Sequence, residues 1–135
     1  HRATTERDAV GLAFRPGVSG TSSSFGGSER NGGAGLFVMK STALLSRRIM
    51  MMFTQRTFMR LEARLVDGSP EITESLDDDE VTWREYGWAF SGTAVGIDLD
   101  ISNDRDYEEL FVDIRQAYNS TVRTRAKSQK RARFT

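Results

Sequence analysis

Most of the large apolar residues of this sequence fall between Leu36 and Tyr118. That clustering predicts one modest hydrophobic core with polar segments on either side. At 135 residues there is room for one domain and not comfortably for two. The hydrophobic share, 38%, is low for a globular protein, so the flanks are expected to add little to the core. The longest apolar run, Ile49-Met50-Met51-Met52-Phe53, is far short of the roughly 18 residues that a bilayer span requires.

Residues 1–40 read as an extended arm. Gly17, Gly20, Gly26, Gly27, Gly32, Gly33 and Gly35 alternate with serines and no apolar period is visible, a composition that cannot offset its own ordering entropy. Such an arm is expected to be laid against other proteins of a large assembly. The chain opens on His1, as a processed or truncated start would.

From Ser41 to Val66 good helix formers dominate. Leu44, Met51, Phe58 and Leu65 recur every seven residues, as do Leu45, Met52, Met59 and Val66. This predicts a long helix stopped by Asp67-Gly68 and Pro70. A rival strand reading remains for residues 57–66, where Met59, Leu61, Ala63 and Leu65 alternate with Arg60, Glu62 and Arg64. Two strands, Val81–Phe90 and Thr93–Ser102, are expected to form a hairpin at Ser91-Gly92. In the second, Val95, Ile97, Leu99 and Ile101 share a face opposite Gly96, Asp98 and Asp100, which predicts a sheet with one buried face and one carboxylate face. A helix over 104–119 follows, with Tyr107, Leu110, Phe111, Ile114 and Tyr118 on one side. The expected fold is thus α+β: a small helix–β-hairpin–helix domain over 41–119, with the Gly/Ser-rich arm before it and a basic tail, 120–135, after it.

A net charge of zero hides strong segregation. Lys40 to Arg64 holds six bases and one acid, Asp67 to Asp113 fifteen acids and two bases, and Ile114 to Thr135 seven bases and no acid. Such blocks produce a bipolar field that steers partners, or lets basic segments lie against the acidic middle.

No catalytic constellation emerges. Cysteine is absent and the single histidine is His1, which leaves no Ser-His-Asp or Cys-His arrangement. Carboxylates come in runs, as solvated acidic faces do. No enzyme, cofactor or metal is expected. One calcium-loop template deserves comparison: Asp98, Asp100, Ser102, Asp106 and Glu109 occupy oxygen-bearing positions of it. Asn103 stands where that loop needs glycine, however, and a strand feeding a capped helix explains the same carboxylates.

Two groups are candidates for partner contact. Trp83, Tyr86, Trp88 and Phe90 crowd one strand, and a small domain cannot easily bury all four, so they are expected to meet a protein partner. The adaptable Met50–Met52 run fits the same role. Arg123, Arg125, Lys127, Lys130, Arg131 and Arg133 could neutralise phosphates or dock on an acidic surface.

Residues 39–60, which open Met-Lys-Ser-Thr-Ala-Leu-Leu-Ser-Arg-Arg, are free of acid, basic and hydroxylated. This stretch resembles a mitochondrial import presequence, a resemblance that implies an organelle: a mitochondrion, with plastids as an alternative. The resulting expectation is a non-catalytic accessory subunit that stabilises a large multi-protein complex through its arms. The alternative is a ribosomal protein contacting RNA through its C-terminal tail.

Overall fold

The computed structural model describes residues 3–18, 34–99 and 107–133; the side chains at 107, 125, 126 and 129–133 lie outside that description. Helix α1 (Glu6–Ala13) opens the chain, inside the segment expected to be an arm. Thr5 is extended and its Oγ1 accepts from the Asp8 backbone N–H at 3.0 Å, while Asp8 Oδ2 accepts from the Thr5 N–H at 3.1 Å. This reciprocal cap satisfies helix-end donors and sets acid at the positive end of the dipole. The Thr4 hydroxyl, at 2.7 Å, adds a further bond and leads the causes that hold the Asp8 carboxyl below its ordinary value of 3.8. Replacing Thr5 by alanine is expected to cost about 1 kcal/mol, read as an earlier urea midpoint. Asp8's part of this stability is complete above pH 3.8 and fades as pH falls through its depressed folded value.

Helix α1 carries Val10 and Phe14 into the main core. Glu6 ties it to the sheet by accepting from Thr57 Oγ1 at 2.9 Å and from the Arg56 N–H at 3.2 Å. The absence of a visible apolar period therefore misled: an eight-residue helix needs only one turn's worth of anchors. Residues 19–33, the Gly/Ser-rich part of the expected arm, lie outside the described residues.

The long helix expected over 41–66 is instead a helix followed by a strand. Helix α2 (Gly35–Leu45) stops where Arg47 turns left-handed, at φ 55°. There the Arg48 N–H reaches the Ala43 carbonyl at 2.9 Å and the Arg47 N–H the Leu44 carbonyl at 3.0 Å. That is a Schellman stop built without glycine. Strand β1 (Met50–Glu62) buries Met50 and Met52, then Thr57, Met59 and Leu61. Its core face changes from even to odd positions at an irregularity where Gln55 has φ 49°. An alternating strand with one such phase change resembles a seven-residue repeat, which is why the helix reading attracted. The presequence-like segment, residues 39–60, is thus the end of α2 and most of β1.

Asp67 and Gly68, both at positive φ, turn the two-residue strands β2 (Leu65–Val66) and β3 (Ser69–Pro70) into a small hairpin instead of ending a helix. Strand β4 (Glu80–Ile97) runs straight through Ser91-Gly92, so the hairpin expected at that point does not form. Its partner is β1, antiparallel, from Met50↔Ile97 to Glu62↔Glu80. Gly92, at φ 116°, sits at one of two register shifts and absorbs it. Of the expected buried set, Ile97 packs on the core, Val95 and Leu99 are exposed, and Ile101 lies outside the described residues.

Helix α3 (Tyr107–Arg133) runs fourteen residues beyond the expected end at Asn119, so the basic segment continues the helix. Leu110 and Ile114 join Phe37 and Leu45 of α2 in a second core, with Ala117 and Tyr118 against it; Phe111, expected on this face, is exposed. The architecture is a small mixed α+β fold; the described residues form three helices, a long two-stranded antiparallel sheet and the short β2–β3 ladder.

Candidate interaction surface

The long sheet has two unlike faces. Met59 is buried and pairs with Trp83, which also packs on the core, where Arg7 lies over its ring at 4.8 Å. Neighbouring side chains in a strand point oppositely, so Phe58 and Arg84, the next pair along, take the outer face. Phe53 stands at the centre of that face. Its ring centroid lies 5.6 Å from Tyr86, 5.2 Å from Trp88, 5.4 Å from Phe90 and 6.5 Å from Phe58. Tyr86 and Trp88 meet Phe53 edge-on, the arrangement the ring quadrupole favours. Trp88 remains 58% exposed.

Three of the four expected contact residues, Tyr86, Trp88 and Phe90, thus converge on one outer cluster, while Trp83 belongs to the opposite face. Phe53 and Phe58 were missed. Period-two alternation would find both, but only once the phase change at Gln55 is known. The open face carries aromatics where carboxylates were expected. From Tyr86 to Ile97 β4 has no charged residue, and neither has β1 from Met50 to Gln55. At the edge of this stretch Arg56 Nε donates to the Tyr86 carbonyl at 3.0 Å. Met51 of the methionine run is exposed on this side, whereas Met50 and Met52 are core.

Behind the sheet, the acidic loop is clamped by a buried charge. Lys40 is fully buried on α2; its Nζ donates to the Thr73 carbonyl at 2.8 Å, Thr73 Oγ1 at 2.7 Å and Asp79 Oδ2 at 2.6 Å. Thr73 Oγ1 also reaches Asp79 Oδ1 at 2.5 Å. Burial pushes the Lys40 ammonium below its ordinary value of 10.5, against the opposing pull of Asp79 and Asp78. The clamp holds residues 73–79 in place, with Leu76 in the core.

On α3, Thr121 is the last buried described side chain, and its hydroxyl donates to Glu74 at 2.9 Å. Arg123 and Lys127 beyond it are exposed. The backbone at Arg125, Lys130, Arg131 and Arg133 is helical, and these four side chains lie outside the description. Most of the calcium template falls on residues 100–106, also outside it; among the described residues no cluster of acids or His is placed to hold a metal. No described helix is long and apolar enough to cross a membrane. A shallow cavity of about 280 Å³ between α1 and Trp83 is lined by Arg7 and Arg15 but equally by Asp8 and Asp77. No family model matches the chain, and no curated protein or solved structure is significantly similar to it.

Proposed function

We propose that this protein is a non-catalytic accessory subunit that stabilises a large multi-protein complex, with the outer face of its sheet as the docking surface. The observation that carries this reading is the Phe53–Tyr86–Trp88–Phe90 cluster, left open on the side away from the helices. Aromatic side chains bring area and a polar handle at little entropic cost, and a charge-depleted aromatic centre is what protein interfaces are built on. The mitochondrial placement rests on the composition of residues 39–60 and is checked by fractionating the source cell.

The test is a tagged pull-down from the native source with and without RNase, comparing wild type with Trp88→Ala. Trp88 is exposed and touches Phe53 and Tyr86, so its removal should cost about 0.5–1.5 kcal/mol and leave the chain folded. A fixed set of proteins that survives RNase and falls at least about tenfold with Trp88→Ala is the expected result, since aromatic anchors of this kind carry 1.4 kcal/mol or more. Capture indifferent to the substitution would remove the reading. A second reading, an RNA-binding ribosomal protein, is favoured by the acid-free helical extension of α3 past Thr121. It predicts partners that vanish with RNase and weaken steeply with salt.

A further inference from the structure

Strand β4 has one neighbour, β1, among the described residues, so its other edge is open along eighteen residues. Natural sheets blunt such an edge with charge or proline, yet residues 86–97 contain neither. Two register shifts also leave residues 86–89, 91 and 92 without a partner position in β1. The side chains along this stretch follow an ordered pattern. Tyr86, Trp88 and Phe90 occupy three alternate positions, and Gly92, Ala94 and Gly96 occupy the next three. The three rings all touch Phe53, and Ala94 is Phe53's cross-strand partner, so they share one face.

A strand whose first half is large and second half small, on the same face, is complementary to itself when run antiparallel. We propose that β4 pairs edge to edge with the β4 of a second copy about a two-fold axis at Ser91, giving a four-stranded sheet β1–β4–β4–β1. In that register Tyr86 faces Gly96, Trp88 faces Ala94 and Phe90 faces Gly92 of the partner copy. On the other face Gly87 meets Val95 and Ala89 meets Thr93. At the ends Arg84 comes opposite Asp98, so unlike charges close the ladder. Each ring keeps Phe53 on one side and meets a glycine or alanine on the other. Moving the axis to Phe90 sets that ring against itself and opposes Arg84 with Gly96, and moving it to Gly92 sets Tyr86 against the Asp98 carboxylate. A two-fold contact uses the same patch on both copies, and this patch has no charge to repel its own image. The pairing uses the hydrogen-bonding edge of β4 and leaves the aromatic face free, so it extends the docking reading without depending on it.

The chain has no cysteine, which makes site-directed crosslinking a clean test on the full chain. Ser91 is exposed and, on the axis, meets itself at the 4.5–5.5 Å Cα spacing of about any antiparallel pair, within disulfide reach. Ser91→Cys is expected to form a disulfide dimer under mild oxidation at least about tenfold faster than Thr82→Cys, whose two copies would lie roughly 60 Å apart. Ala89→Cys mixed with Thr93→Cys should crosslink where each alone does so slowly. Wild type should sediment as a dimer by about 0.1 mM, where even a weak micromolar pair is formed. If Ser91→Cys oxidises no faster than Thr82→Cys, or wild type stays monomeric throughout, the self-pairing is wrong. A monomer that still captures proteins through Trp88 would sink the pairing alone, and a dimer that captures none would sink the docking reading alone.

Discussion

Lys40→Met is expected to destabilise the fold by about 3–5 kcal/mol, the cost of leaving one member of a buried ion pair without the other. Asp79, whose side chain is 2% exposed, would lose its Lys40 partner and keep the Thr73 hydroxyl as a donor. For a chain of this length that corresponds to a melting temperature lower by roughly 10–15 °C in a thermal scan. The double variant Lys40→Met/Asp79→Leu should recover much of the loss, because removing both charges removes the desolvation cost as well as the attraction. A single variant that melts with wild type would mean the clamp contributes nothing. The pH dependence has a definite sign. Burial holds the folded pKa of Lys40 below the unfolded value near 10.5, so between the two the unfolded chain binds more protons. Stability contributed by this group therefore rises with pH across that window, and Lys40→Met should lack the rise.

Phe14→Ala carries the second large effect, about 3–5 kcal/mol of lost stability from a fully buried aromatic. Phe14 follows α1 directly and packs in the same core as Leu44, Met50, Met59 and Leu61, so the loss should appear in the single cooperative transition of the whole domain. Phe14→Leu keeps most of the volume and should cost less than half as much. A midpoint in urea unchanged by Phe14→Ala would show that residues 3–18 are a detachable arm. Trp88→Ala makes the contrast: an aromatic of larger size lost at only about 0.5–1.5 kcal/mol, because its ring touches Phe53 and Tyr86 on one side and solvent on the other.

Some features were legible because they are local. The apolar phase of Leu110, Ile114 and Tyr118 specified a helix and its buried side, since spacing of three and four has one geometric meaning. The aromatic run of β4 was visible as a surplus that a small core could not absorb. Charge blocks and the missing cysteine bounded the chemistry in the same direct way. The Thr5–Asp8 cap was equally readable in principle, and a helix of eight residues merely left too little periodicity to draw attention to it.

What the tertiary structure alone decided is where each pattern is interrupted and which segment pairs with which. Residues 50–62 have side chains that suit either a helix or a strand. The Schellman stop at Arg47 and pairing with β4 select the strand, because only that pairing buries Met50, Met52, Met59 and Leu61 together. Ser91-Gly92 reads as a turn in isolation, yet a glycine at positive φ serves a bulge as readily as a hairpin, and the longer ladder with β1 wins. Lys40 could not be read from the sequence as a buried charge, since Asp79 lies 39 residues away and only the fold brings it to 2.6 Å. The same holds for Phe53: its alternation is broken at Gln55, and it becomes the centre of the aromatic face only when β4 is laid beside it. Residue type and spacing determined the local conformations on offer; long-range burial chose among them.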